Sequence, residues 1–250
     1  MYFEFNKYKL YYEKHGIGKK NILILPGWGN TRLTFQKIIK QLENEYTVYI
    51  IDYPGFGNSK VINKELTIYD YALIIKSFIE KNNLIQTNII AHSFGGRITS
   101  ILLSEYNIKI NKLILIDVAG IKRLNIKIKI KNIIYKLLKK LTCILPKRKK
   151  FIVRKKLFNL FSSNDYKTLP KSMYKTFQNI ISINLKKYYK NITNKTLIIW
   201  GSNDQATPLK DAYTLKKIIK NSKLIVYKDS SHFSYLENHN EIIKNISNFL

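Results

Sequence analysis

The sequence predicts an α/β fold in which a mostly parallel eight-stranded sheet is flanked by helices. Short apolar runs rich in β-branched residues recur along the chain, and helix-like stretches lie between most of them. Strands that alternate with helices favour a doubly wound parallel sheet. The chain has 250 residues, of which 45% are hydrophobic, enough for one sizeable core rather than two independent domains.

The predicted strands differ between the start of the chain and the rest. Apolar and polar residues alternate at the beginning, which predicts a hairpin of Tyr2–Phe5 and Tyr8–Glu13. The later runs are short and apolar, as expected of parallel strands buried on both faces. These runs are Asn21–Leu25, Tyr46–Ile51, Asn88–Ala91, Lys112–Ile116, Thr196–Trp200 and Leu224–Tyr227.

Helices are predicted between these strands, and one segment is left open. The predicted helices are Phe35–Leu42, Thr67–Lys81, Gly96–Tyr106, Leu209–Ile219 and Ile242–Leu250. After the sixth strand, Leu124–Lys131 alternates as a strand would. Apolar residues also recur there at helical spacing, namely Ile126, Ile130, Ile133, Leu137 and Leu141. The pattern alone does not decide between helix and strand in this segment.

A candidate nucleophile lies at the end of the fifth strand. Residues 91–96 read Ala-His-Ser-Phe-Gly-Gly and lead directly into a helix-like stretch. Small residues on both sides of Ser93 allow a tight strand-to-helix turn that holds its Oγ clear of the backbone. The sequence therefore predicts that Ser93 is presented as a nucleophile.

The loops after the other strands supply the partners that such a serine needs. Ligands of doubly wound sheets bind beyond the carboxyl ends of the strands. Residues 26–30, Pro-Gly-Trp-Gly-Asn, follow the third strand, and Asp204 and His232 follow the seventh and eighth. One helix and one strand separate Asp204 from His232, which returns the chain to the same sheet edge. A nucleophile, an acid and a base thus occur in the order Ser, Asp, His.

These motifs resemble the α/β-hydrolase family over nearly the whole chain. In chain order they are the Pro-Gly-Trp-Gly loop, Asp52-x-x-Gly55-x-Gly57-x-Ser59, the turn at Ser93, Trp200-Gly201-x-x-Asp204 with Pro208, and Ser231-His232-Phe233 with Leu236-Glu237. The chain is most similar to serine esterases and lipases with a cap inserted after the sixth strand. The resemblance implies a hydrolase core in residues 1–119 and 191–250 and a mainly helical cap in residues 120–190.

The chain departs from the family pattern at two positions. Ala91 stands where the turn usually has its first glycine, and it is small enough to keep the turn. Pro26 stands where a histidine usually precedes the glycine of the oxyanion loop. We therefore expect different hydrogen bonds around that loop.

The roles of individual residues follow from serine chemistry and from the resemblance. Ser93 would attack the acyl carbon once a neighbouring base accepts its proton. His232 would be that base and would then protonate the leaving group, and Asp204 would fix the imidazole tautomer. Asp117 is the alternative acid, because some family members carry the acid after the sixth strand. The Trp-Gly motif favours Asp204.

The surroundings of the substrate are predicted in the same way. The peptide N–H groups of Trp28 and Phe94 would form the oxyanion hole. Trp28, Phe56 and Phe233 lie on loops expected to face the crevice, and we predict them as pocket walls. No cluster of Cys, His and carboxylates has metal-ligand spacing, and no phosphate-binding Gly-Lys-Ser/Thr run occurs. Neither a metal nor a cofactor is predicted.

The charge is concentrated in the predicted cap. The net charge is +28, and residues 121–195 carry 22 Lys and Arg but one acid, Asp165. An anionic membrane surface, an acidic acyl-carrier protein or a small anionic ester would be attracted to such a segment. The alternative is a solvated lysine-rich surface that reflects the composition of the chain. The absence of a helix-turn-helix or RNA-binding motif argues against nucleic acid.

The expected location is cytoplasmic. The chain has a single cysteine, Cys143, so it forms no intrachain disulfide and needs no oxidising compartment. The first residues lack the basic start and long apolar stretch of a signal peptide. No run approaches the ~18 apolar residues that span a bilayer.

Ester hydrolysis through an acyl-enzyme is the predicted function. Hydrolases that cleave carbon–carbon bonds in diketones use the same triad and remain an alternative. A non-catalytic binding protein that uses the basic segment is a second alternative, although the intact triad argues against it. Dehalogenases and epoxide hydrolases of this fold have a carboxylate nucleophile, whereas this chain has Ser93.

Overall fold

The computed structural model describes residues 1–6, 8–59, 64–122, 126–161 and 169–250. The strands are Tyr2–Phe5 (β1), Tyr8–His15 (β2), Lys20–Leu25 (β3), Tyr46–Ile51 (β4), Asn88–His92 (β5), Lys112–Ile116 (β6), Lys195–Gly201 (β7) and Ser222–Tyr227 (β8). They form one sheet in the order β1-β2-β4-β3-β5-β6-β7-β8. β2 is antiparallel to β1 and β4, and the strands from β3 to β8 are parallel. The predicted mostly parallel, eight-stranded sheet is confirmed.

Helices cover both faces of this sheet. Among the described residues the α-helices are Gln36–Leu42 (α1), Ile68–Lys81 (α2), Phe94–Ser104 (α3), Ile126–Leu141 (α4), Lys147–Phe161 (α5), Tyr174–Ser182 (α6), Lys186–Lys190 (α7), Leu209–Ile218 (α8), Ser234–Glu237 (α9) and His239–Phe249 (α10). One apolar cluster joins α2, α3 and α8 to one face. A second cluster joins α1 and α10 to the other face.

The helix boundaries depart from the prediction where a loop enters a helix. The helix expected from Gly96 begins at Phe94, because the turn at Ser93 is tight and leaves no linking residues. The last helix begins at His239 rather than Ile242, since its first turn is polar and carries no apolar periodicity. These shifts leave the order and type of the elements unchanged.

The parallel register brings the carboxyl ends of the central strands to one edge. Leu25 of β3 is level with Ala91 of β5. His92 of β5 is level with Ile116 of β6, which in turn is level with Ile199 of β7. The loops that carry the candidate site residues therefore start side by side.

Residues 126–161 form a helical pair of α4 and α5, which we call the basic hairpin. It holds 13 Lys and Arg residues and no Asp or Glu. The sequence left open whether Leu124–Lys131 is a helix or a strand. From Ile126 onward this segment is helical, and residues 124 and 125 lie outside the described residues. Large apolar side chains on the hairpin are exposed, with Leu137 at 58% and Ile144 at 87%. Others are Ile130, Ile133, Leu141, Phe151 and Leu160.

Candidate active site

Ser93 occupies a strained turn between β5 and α3. Its φ of 46° and ψ of −107° lie where L-residues are rarely found, as expected of a nucleophile turn. Its N–H donates to Ile116 O at 3.1 Å, and its carbonyl accepts from Ala119 N–H at 3.0 Å. A Cβ on Gly95 would lie 2.0 Å from Leu25 O, so only glycine fits there. These contacts hold the turn against β3 and β6.

His232 lies between the hydroxyl of Ser93 and the carboxylate of Asp204. Its Nε2 is 2.9 Å from Ser93 Oγ, and its Nδ1 is 2.7 Å from Asp204 Oδ2. A carboxylate next to Nδ1 favours the tautomer in which Nδ1–H donates to it. Nε2 then presents its lone pair to the Ser93 hydroxyl and can accept the serine proton. The structure thus brings together the three side chains that the sequence singled out.

Asp204 is held in place by groups that follow it in the chain. Its Oδ1 accepts from the N–H groups of Ala206 at 2.7 Å and Thr207 at 2.8 Å. The Thr207 hydroxyl donates to Oδ2 at 2.5 Å. Burial acts to raise the pKa of Asp204, but the hydrogen bonds and charge of His232 and the Thr207 bonds lower it overall. The carboxylate is therefore kept ionised opposite the imidazole.

Asp117, the alternative acid, has its hydrogen bonds elsewhere. Its Oδ1 accepts from Gly201 N–H at 2.8 Å, and its Oδ2 accepts from the Ser234 hydroxyl at 2.6 Å. Burial raises the pKa of Asp117 to about 7, outweighing the hydrogen bonds from Ser234 and Gly201. The carboxylate next to His232 Nδ1 is that of Asp204, while Asp117 ties β6 to β7 and α9.

His92 braces the backbone of the candidate base. Its Nε2–H donates to the carbonyl of His232 at 2.9 Å. Burial, together with the nearby charge of His232, lowers the pKa of His92 to about 3, so its ring is neutral. A Cβ on Gly27 would lie 2.7 Å from His92 Nδ1. The ring of His92 therefore lies between Gly27 of the loop after β3 and the backbone of His232.

The peptide N–H groups of Trp28 and Phe94 make no hydrogen bond to any described residue. Phe94 is the first residue of α3, where the helix presents unpaired N–H groups and partial positive charge. The Trp28 indole packs edge-on against Phe94, with ring centroids 5.1 Å apart. Both residues line a cavity together with Ser93, and their peptide N–H groups have no partner among the described residues.

A cavity of about 160 Å³ opens next to Ser93 and His232. The other lining residues are Trp28, Phe94, Arg97, Ala119, Phe177, Ile180, Ile181, Ala206 and Thr207. Phe56 and Phe233, which we expected as pocket walls, do not line this cavity. Phe56 lies behind Trp28 at a centroid distance of 4.7 Å, and Phe233 lies against His92 at 5.5 Å.

Sequence reasoning missed part of the wall because α6 carries no recognisable motif. Phe177 and Ile180 come from α6, far from the other lining residues in the sequence. Thr207 was also missed, although its position directly before Pro208 of the Trp-Gly motif could have indicated it. Arg97 gave a usable signal as well, since it lies one helical turn after Ser93.

Among the residues that the structure describes, no group of three or more His, Cys, Asp and Glu could hold a metal ion. No helix within the described ranges has both the length and the apolar character needed to cross a membrane.

Several known proteins are similar to this chain. Residues 20–239 match the sequence profile of the alpha/beta hydrolase fold. The chain is 29% identical to the pimeloyl acyl-carrier protein methyl ester esterase of Wigglesworthia glossinidia brevipalpis, over 88% of this chain and 90% of the relative. It is 23% identical to the 2-hydroxy-6-oxononadienedioate/2-hydroxy-6-oxononatrienedioate hydrolase of Escherichia coli K12, over 97% of this chain and 91% of the relative. The enol-lactonase of Burkholderia xenovorans LB400 has a similar structure, with a TM-score of 0.75, 19% identity, and coverage of 100% of this chain and 99% of that one.

Proposed function

The chain belongs to the alpha/beta hydrolase fold family, and on that premise we propose that it hydrolyses a carboxylic ester through an acyl-enzyme. The observation that carries the proposal is the continuous hydrogen-bonded series from Asp204 through His232 to Ser93. A serine hydroxyl is a weak nucleophile until a base accepts its proton, and this geometry supplies that base. Ser93, His232 and Asp204 are the proposed catalytic residues.

In the first half-reaction, the Oγ of Ser93 attacks the ester carbon while its proton passes to His232 Nε2. The carbonyl oxygen becomes an oxyanion, which the N–H groups of Trp28 and Phe94 would stabilise. One such donor contributes about 3 kcal/mol to the transition state. His232 then returns the proton to the departing alcohol, and the acyl group remains on Ser93.

Water completes the second half-reaction. His232 removes a proton from the water, whose oxygen attacks the acyl carbon, and the same two N–H groups stabilise the new oxyanion. The carboxylic acid leaves, and Ser93 recovers its proton. Asp204 orients the imidazole and stabilises its cationic form in both halves.

We also propose that residues 120–190 form a cap over the core of residues 1–119 and 191–250. The support is that α6, which falls within the proposed cap, contributes Phe177, Ile180 and Ile181 to the cavity wall. The basic hairpin belongs to the same segment, so its charge would act where the substrate arrives.

The ester could then be delivered by an anionic partner that binds the basic hairpin. One relative is named for an ester of an acyl-carrier protein, and an acidic carrier protein would complement the charge of the hairpin. The exposed apolar side chains of the hairpin also fit an anionic lipid surface. Binding measurements with an acidic acyl-carrier protein and with anionic lipid vesicles separate the two partners, with neutral vesicles as the control.

Carbon–carbon bond hydrolysis is the second candidate function. It is favoured by the similarity to the Escherichia coli hydrolase, which extends over 97% of this chain. The same serine, histidine and acid would serve that reaction, so the two candidates differ in substrate rather than in catalytic side chains.

The test compares nitrophenyl esters of increasing acyl length with 2-hydroxy-6-oxononadienedioate. We expect the wild type to hydrolyse the esters and Ser93→Ala to lose that activity. Cleavage of the dienedioate without ester turnover would favour the second candidate. Turnover of neither substrate would contradict both.

A further inference from the structure

Arg97 lies on α3 one turn after Ser93 and borders the same cavity. Ser93 directly precedes α3 and Arg97 is the fourth residue of that helix, so the two residues are close in the chain as well as at the cavity. Among the described residues that line the cavity, Arg97 has the one permanent charge. The catalytic roles proposed above do not use it.

The guanidinium has few partners for its charge. Its Nη1 donates to the carbonyls of Ile180 and Ile183 at 3.1 and 3.3 Å. Nε and Nη2 donate to no described residue, and no carboxylate in the described ranges forms an ion pair with Arg97. Burial lowers the pKa of Arg97. An arginine side chain nevertheless keeps its proton at neutral pH.

The remainder of the wall next to Arg97 is largely apolar. The side chains of Phe94, Phe177, Ile180 and Ile181 carry no hydrogen-bond acceptor and no negative charge. A cation that has lost part of its water needs an anion or further acceptors, because leaving it without them is costly. The unused donors of Arg97 are suited to a carboxylate, whose two oxygens match the guanidinium geometry.

We infer that Arg97 binds an anionic group on the acyl chain of the substrate, so that the preferred esters are half esters of short dicarboxylic acids. The inference rests on the proposed ester hydrolysis. The acyl chain is the relevant part of the substrate because it stays attached to Ser93, which borders the same cavity as Arg97. Ser93 and Arg97 are four residues apart and line the same cavity, so a short acyl chain suffices to reach from one to the other.

A purely structural role for Arg97 makes a different prediction. Ile180 and Ile183 lie near the carboxyl end of α6, and a cation that binds these carbonyls would anchor that helix over the site. Loss of an anchor would lower the turnover of every ester by a similar factor. The ratio of kcat/KM for an anionic ester to kcat/KM for a neutral ester therefore distinguishes an Arg97 that binds substrate from an Arg97 that only anchors α6.

The experiment measures kcat/KM for the nitrophenyl half ester of glutaric acid and for its neutral monoamide counterpart. The enzymes are the wild type, Arg97→Met, Arg97→Lys and the control Lys40→Met, which removes one positive charge from an exposed position on α1, outside the cavity and the basic hairpin. We expect the wild type to prefer the half ester and Arg97→Met to reduce that preference about ten- to a hundredfold. Arg97→Lys should retain part of the preference, and Lys40→Met should retain all of it.

An equal fall for both substrates in Arg97→Met, or an unchanged ratio, overturns the inference. Should Arg97→Met fail to fold, inhibition of the wild type gives the answer at a salt concentration that screens the hairpin. Glutarate should then inhibit hydrolysis of the neutral ester more strongly than its monoamide does, and equal inhibition overturns the inference. Failure of the wild type to hydrolyse the neutral ester would instead count against the proposed function.

Discussion

The sheet edge around Ser93 and the basic hairpin are built in opposite ways. At the sheet edge, Asp117 and Asp204 are buried and each has several hydrogen bonds from neighbouring strands and loops. On the hairpin, large apolar side chains and many Lys and Arg residues face solvent. In the first region, hydrogen bonds within the protein fix the positions of the carboxylates. The second exposes charged and apolar side chains, for which we proposed an anionic partner above.

This contrast separates the proposed chemistry from the proposed delivery of the substrate. Changes at the sheet edge should alter the turnover of every ester, because they affect the reacting groups. Changes on the hairpin should alter only the turnover of esters that are anionic themselves or that arrive on an anionic partner. A change in one region that alters activity in the way expected for the other region would break this separation.

The largest effect is expected for the acid. Asp204→Asn should lower kcat by about 10⁴-fold, the loss measured for the equivalent change in a serine protease, because an amide favours the wrong imidazole tautomer. Asp117→Asn is the matched control and should keep most of the activity. Circular dichroism would establish that both variants fold. A severe loss of kcat in Asp117→Asn together with a normal kcat in Asp204→Asn would show that Asp117, and not Asp204, is the catalytic acid.

The second-largest effect is expected from lowering the pH, which should remove the esterase activity. A protonated His232 cannot accept the proton of Ser93, so kcat/KM for a neutral ester should fall as the pH is lowered between about pH 8 and pH 5. His92 should not contribute to this fall, because its pKa is lowered to about 3. A pH profile that stays flat over this range would contradict a histidine base.

Asp117 should make the folded state less stable as the pH rises. Its pKa is raised to about 7 by burial, so the folded state holds a proton that the unfolded state has released. The free energy of unfolding should therefore decrease between about pH 4 and pH 7, by an amount on the order of 4 kcal/mol. Asp117→Asn should lack this part of the decrease in denaturant titrations at each pH. Identical pH dependence in both proteins would show that the carboxylate is ionised in the fold.

The smallest effect concerns the hairpin. Added salt should lower kcat/KM for an anionic or vesicle-bound ester a few-fold and leave a small neutral ester unaffected, because exposed charges are screened at about 0.1 M salt. Neutralising Lys147, Arg148, Lys149 and Lys150 should reproduce the effect of salt. If salt changed kcat/KM equally for both substrates, or if the substitutions changed neither value, the hairpin charge would have no role in substrate delivery and would only reflect the composition of the chain.

The two regions also differ in how far the sequence could predict them. The turn at Ser93 and the loops of Asp204 and His232 combine short motifs with the register of parallel strands, so their convergence follows from local patterns. The distinction between Asp204 and Asp117 likewise followed from the Trp-Gly motif, in agreement with the carboxylate found at His232 Nδ1.

The cavity wall could not be predicted in the same way. The contact of Arg97 with Ile180 joins residues that are 83 positions apart, and α6 has no motif that marks its position. Phe56 was predicted as a wall because its loop faces the crevice, but Trp28 lies between that ring and the cavity. The alternating pattern near residue 126 was ambiguous because apolar and basic residues satisfied both periodicities.

The central claim is that Ser93 is a nucleophile activated by His232, and covalent labelling tests it most directly. A serine-directed fluorophosphonate should label the wild type at Ser93 alone, as identified by mass spectrometry of the digested protein. Ser93→Ala should not be labelled, and His232→Ala should be labelled far more slowly. Equal labelling of Ser93→Ala and the wild type would contradict the account.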